Sequence, residues 1–304
     1  MGSSRWNPDD WSRYASSTST KSRDEIFTSR SLKPAYDPKL ITVRESVDSD
    51  ANPQSTPIIV ALDVTGSMGR IPEMLIKGNM GVFIEEIYER KPVSDPHLMF
   101  MGVGDAAYDR APLQVTQFEA DTRIADQLAE IYLEGGGGGN HFESYHLPWY
   151  FAAMRTRHDA LLKRGRKGYL FTVGDEEPPK ELLASQVEAV LGDTLERNLT
   201  AKEVLAMAEQ AYHVYHVVVE QGSHYRSYGD RVMDAWRDLL GQRVIPLSDY
   251  TKLSEVLVST IALNEGADRD HVARSWSGET GLVVAHALQG LVATGPSSGV
   301  ATRF

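Results

Sequence analysis

Apolar positions along this chain alternate between two rhythms. Ile58 to Leu62 is a continuous aliphatic run, the pattern of a strand buried on both faces, and it stops at Asp63. Ile76, Met80, Phe83 and Ile87 then repeat at helical spacing, predicting an amphipathic helix that ends near Arg90-Lys91-Pro92. His97 to Gly104 reads as a second buried strand, and Leu113 to Phe118 as a short edge strand entered through Pro112. Ile124, Leu128 and Ile131 form a helical stripe. A glycine loop follows, then a helix carrying Phe151, Met154 and Leu161, then a fourth strand over Gly168 to Val173 that ends in Gly174-Asp175. Leu183, Val187 and Val190 are helical, and Thr200-x-x-Glu203 is a capping box opening another helix. Tyr212 to Val219 is a fifth strand and Val232, Trp236 and Leu239 lie on a helix. Arg243 to Leu247 is a sixth strand, and Leu253, Val256, Leu257 and Ile261 lie on a last helix before Gly266. Strand and helix alternate from 57 to 265, which predicts an α/β fold: a doubly wound, mostly parallel six-stranded sheet with helices on both faces and one antiparallel edge strand.

The flanks read differently. Residues 1–56 form a polar arm and linker rich in Ser, Thr and Arg, with Trp6, Trp11, Tyr14 and Phe27 scattered through it. Those aromatics suit docking on the chain's own acidic domain or on a neighbour, the other reading being disorder. Leu40 to Ser49 reads as a strand or extended lead-in. Residues 266–304 are a tail whose Leu282, Val283, Ala285, Leu288 and Leu291 predict a short apolar helix that either covers the core or offers a surface to a partner.

Chemistry enters at the end of the first strand. Asp63-Val64-Thr65-Gly66-Ser67 sets a carboxylate and two hydroxyls two residues apart, where open α/β sheets bind ligands. Oxygen donors without Cys or His suit a hard cation, Mg²⁺ before Mn²⁺ or Ca²⁺. The plainer role for Asp63 and Ser67 is helix capping, and for Asp175 a turn before Pro178. Asp105 and Asp109 read as turn residues, with Asp105 placed to act as a supporting acid. His141 and His146 have no Cys or third His to complete a zinc site. His213 and His216, three apart on a strand, point to opposite faces.

With the element order beside it, Asp63-x-Thr65-x-Ser67 resembles the metal-ion-dependent adhesion site (MIDAS) of von Willebrand factor A-type (vWA) domains, and the resemblance covers about two thirds of the chain. It implies that the first and fourth strands are neighbours, so that Asp63 and Asp175 flank one crevice and face one ion. Most vWA domains add a Thr from the loop before the third helix. Here that loop, Glu134-Gly135-Gly136-Gly137-Gly138-Gly139-Asn140-His141-Phe142-Glu143, has none. It is similar to the integrin β type, which assigns the ligand to Glu143, with Asn140 as the second choice. The alternative for the glycine run is a mobile tip without ligands. No Asp-Asp follows Ser67, so an adjacent regulatory metal site is not expected.

Composition narrows the function. The chain has 304 residues, no Cys and a formal net charge of −11, which argues against nucleic acid as a partner. Residues 1–44 carry eight Lys/Arg against five Asp/Glu, so the acidity lies in the remainder. No apolar run approaches a membrane span or a signal-peptide core, and the expected location is cytoplasmic. The vWA resemblance implies a non-catalytic binding module that engages partner proteins through the ion, in an assembly with a partner such as an AAA+ ATPase or with further copies of itself. A metal-dependent hydrolase is the alternative, weakened because the position for its general acid, two residues after Asp63, is Thr65. A structural oligomer subunit whose metal stiffens loops is the other.

Overall fold

The computed structural model describes residues 4–66, 68, 70–74, 77, 79–134 and 141–292, and in it the apolar runs join one six-stranded sheet. Counting only its strands, β1 is Thr56–Asp63, β2 Pro96–Val103, β3 Leu113–Val115, β4 Gly168–Gly174, β5 Tyr212–Val219 and β6 Val244–Leu247. Their order across the sheet is β6-β5-β4-β1-β2-β3. All neighbours are parallel except β2 with β3. The order reverses between β1 and β4, the expected neighbours, and a crevice opens there at the carboxyl ends of the strands. The register pairs Leu62 with Val173, which sets the residues that follow, Asp63 and Gly174-Asp175, at the same level.

Side chains alternate across the pleat. Ile58, Val60 and Leu62 enter one core layer, whereas Ile59 and Ala61 enter the other. The helices, numbered without the shortest ones, are α1 Pro8–Thr18, α2 Met80–Arg90, α3 Arg123–Ala129, α4 His146–Arg155, α5 Ala184–Leu191, α6 Ala201–Ala208, α7 Ser223–Leu240, α8 Leu253–Asn264 and α9 Gly278–Leu288. The first layer packs under α1, α2, α3, α8 and α9, the second under α4 to α7. Helix α8 is buried nearly all round because it lies between α2 and α9. Thr200 and Glu203 form the expected capping box of α6.

Three local expectations are revised and one open alternative is decided. The helix over Phe151, Met154 and Leu161 is two helices, α4 and Asp159–Arg164, separated by extended Thr156–His158. That break exists because Thr156–His158 pairs in parallel with Arg44–Ser46, and it leaves Met154 exposed. The edge strand β3 stops at Val115, short of Phe118. Leu183 is the half-exposed N-cap of α5 and not part of its buried stripe. Helix α9 covers the core, with Val284, Ala287, Leu288 and Leu291 inward and Leu282 outward. Ile76, expected on the first helix, lies outside the described residues.

The arm packs against its own domain. Trp6, Trp11, Ile26 and Phe27 are buried in the first core layer. Trp11 lies directly on α2, where a Cβ on Gly81 would stand 1.8 Å from its Nε1. Tyr36 donates to Glu130 at 2.6 Å and Asn52 Nδ2 donates to the Ser4 carbonyl at 2.8 Å. No helix among the described residues is long and apolar enough to cross a membrane.

Candidate metal centre

The odd-numbered residues of β1 face α4, so Asp63 follows Ala61 into that layer and arrives buried. Its Oδ1 accepts from the Thr65 backbone N–H at 2.9 Å and from the Thr65 hydroxyl at 2.6 Å. Its Oδ2 accepts from the Tyr145 hydroxyl at 3.2 Å. Tyr145 stands at the start of α4 with its ring edge-on to His216 and Trp236, 5.0 and 5.5 Å between centroids. Asp175, fully buried, follows β4. Its Oδ2 accepts from the backbone N–H of His224 at 2.9 Å, in the first turn of α7. A helix N-terminus favours negative charge, so this seat suits a carboxylate.

Glu143 is held between the other two loops. Ser144 N–H donates to the Gly104 carbonyl after β2 at 3.1 Å, and Glu177 N–H donates to the His141 carbonyl at 3.3 Å. The Ser144 hydroxyl accepts from Ala106 N–H at 2.9 Å. These ties pull the residue inward until Glu143 is 2% exposed, with its Oε2 buried and lacking a hydrogen-bond partner among the described residues. Oε2 of Glu176 is in the same condition.

The electrostatics follow from that crowding. Burial raises the Asp63 carboxyl well above the usual range, Thr65 opposes the rise, and the charge of Asp175 adds to it. Glu143 is raised further, first by burial and then by Asp63, Glu176, Asp109 and Asp105. Glu176 is pushed up to about 8 by burial and by Asp63, Asp175, Asp105 and Glu177. The charges that act most strongly on Glu143 and Glu176 are those of other carboxylates. A cluster of acids buried without a cation relieves its repulsion by holding protons or by taking up a positive ion.

Comparison with known proteins adds little to this geometry. No protein-family model matches the chain, and no curated protein matches it. Among solved structures, the pilus adhesin SpaC from Lactobacillus rhamnosus GG in its open conformation is similar over 73% of this chain and 31% of that one, at 8% identity and a TM-score of 0.42. A von Willebrand factor type A protein from Catenulispora acidiphila is similar over 69% of this chain and 42% of that one, at 14% identity and a TM-score of 0.37. This chain thus spans less than half the length of either neighbour. The doubly wound fold rests on the strand order itself.

Of the six residues singled out in the sequence, Asp63, Thr65, Glu143 and Asp175 gather at this crevice, and Ser67 and Asn140 lie outside the described residues. Among the described residues no three His, Cys, Asp or Glu side chains stand close enough to ligate one ion directly. Sequence reasoning missed Tyr145 and Glu176. The acidic run Asp175-Glu176-Glu177 was visible, but nothing in the sequence says that Tyr145 reaches Asp63 across 82 residues. Asp105, buried, accepts from Ala107 N–H and donates its own N–H to Asp109, so the two form one turn behind Glu143. His141 packs at the rim with its ring tilted against His224 and edge-on to Tyr228. His146 instead contacts the Glu181 carbonyl at 3.0 Å. His213 stacks on Tyr169 and His216 on Trp236, on opposite faces of the sheet.

Proposed function

We propose that this chain is a vWA-type protein-binding module that engages partner proteins through a divalent cation, Mg²⁺ first, held by Asp63, Thr65, Ser67, Glu143, Asp175 and Asn140. The observation that carries the reading is the convergence at the switch point of buried Asp63, Glu143 and Asp175 with half-buried Glu176, acids that repel one another. The donor chemistry suits a hard ion. A Thr65 hydroxyl that gives its proton to Asp63 keeps oxygen lone pairs for a cation, and the Oε2 of Glu143, without a hydrogen-bond partner among the described residues, can accept as well. Mg²⁺ retains several waters and takes only one or two carboxylates directly, so a site here does not require three such side chains in contact with the ion.

The ion would supply a Lewis-acid position for an oxygen of the partner. The protein's part is to position the ligands: Asp63 is locked by Thr65 and Tyr145, and Asp175 by α7. The module is read as non-catalytic. A hydrolase of the kind considered would place its general acid at position 65, where the residue is a threonine whose hydroxyl is bonded to Asp63.

Affinity capture tests this reading. Partner proteins should be retained by the wild-type chain in Mg²⁺, released by chelator, and not retained by Asp63→Ala. Retention that neither chelation nor that substitution disturbs would contradict it.

A further inference from the structure

Beside the acidic crevice runs a groove of about 440 Å³ whose charge is of the opposite sign. Its floor is apolar and buried, made by Met68, Ile71 and Val219. Arg70 and Arg226 line it with exposed side chains. Neither guanidinium carries an ion pair or a side-chain hydrogen bond among the described residues, although Arg231, on the same helix as Arg226, pairs with Glu177 at 2.5 Å. Gly222 also lines the groove, and its Cα packs so closely on Asp175 that an added Cβ would stand 2.1 Å from Oδ2. Met68 N–H donates to the Thr65 carbonyl at 3.1 Å. Groove and crevice are therefore contiguous, sharing a wall on the Asp175 side and a turn on the Asp63 side.

In a chain of net charge −11, two unpaired guanidinium groups next to a pit of carboxylates make a local reversal of field. Guanidinium groups match carboxylates in planar, bidentate geometry. The volume lies in the range that holds a small ligand or a few side chains. Resting on the metal reading above, we infer that the partner presents an acidic peptide segment with at least two carboxylates. One meets the ion, and a neighbouring one enters the groove between Arg70 and Arg226. The arginines then set both the specificity for an acidic run and the orientation of the segment across the crevice.

The test uses the full chain, Mg²⁺, and two probe peptides, hexa-aspartate and hexa-asparagine, with affinity read by calorimetry. The variants are Arg70→Gln, Arg226→Gln and the double variant, with Mg²⁺ affinity alone measured in each. Hexa-aspartate should bind the Mg²⁺-loaded wild type and hexa-asparagine should not. The double variant should lose about tenfold or more in peptide affinity, as expected when charged partners of an interface are removed, while binding Mg²⁺ as before. Equal peptide affinity in wild type and double variant, or no hexa-aspartate binding by Mg²⁺-loaded wild type, would overturn the inference and leave the metal reading standing. Peptide binding that depends on the arginines but not on Mg²⁺ would keep the groove as an acidic-peptide site and overturn the metal-bridged half of the inference.

Discussion

A Cβ built on Gly222 would stand 2.1 Å from Oδ2 and 2.3 Å from Cβ of Asp175, and one built on Gly174 would stand 1.8 Å from the Tyr145 hydroxyl. The two glycines are the space that the acid cluster occupies. Gly222→Ala should push Asp175 off the N-terminus of α7, lowering stability by about 1–3 kcal/mol, the usual cost of overpacking, and weakening Mg²⁺ binding. Urea unfolding and calorimetry on the same sample check both, and an alanine variant equal to wild type in both would show that the contact is not needed. At this scale the sequence was legible where spacing is local: Asp63 and Thr65 lie on one short segment, and Asp175 directly follows a strand. It was not legible for Tyr145, whose bond to Asp63 depends on how α4 meets β1, or for Glu176, whose carboxyl is set beside Asp63 and Asp105 from segments distant in sequence.

The elements show the same division. The strands of the large sheet were legible because each is an apolar run of the right length. The interruption between α4 and Asp159–Arg164 was hidden because its cause lies at Arg44–Ser46, more than a hundred residues earlier. The arm was ambiguous in sequence because aromatic residues in a polar segment suit docking in cis or in trans. Its anchor is Trp11 on Gly81, a contact available only to a residue without a side chain. Gly81→Leu should strengthen α2 as a helix and yet release the arm, since the new side chain takes the indole's place. Limited proteolysis should then cut before residue 44 in the variant and not in the wild type. Equal protection of both would contradict the anchoring role of Trp11.

For the molecule as a whole, the buried ionisable groups set how stability follows pH. Burial lowers His97, His146, His158 and His213 to about 4, below their unfolded value of about 6.5, so these histidines destabilise the fold as pH falls through that window. The crevice acids act in the opposite sense. Their folded values are raised, so the native state holds protons that the unfolded chain has released, and stability is lost as pH rises toward those values. Between about pH 7.5 and 9 the histidines are nearly all neutral in both states, and the acids decide the sign. Metal-free protein should therefore lose thermal stability across that interval, and Mg²⁺ should flatten the loss. A metal-free melting temperature that rises from about pH 7.5 to 9 would contradict the proposed protonation of the cluster.

The central claim is that these acids are a cation site. Titrating Mg²⁺ into chelator-treated wild type, Asp63→Ala and Glu143→Ala by calorimetry tests it most directly, with circular dichroism confirming that each variant is folded. One saturable site is expected in the wild type, abolished in folded Asp63→Ala and at least markedly weakened in Glu143→Ala. Absence of binding by the wild type, or undiminished binding by Asp63→Ala, would contradict it.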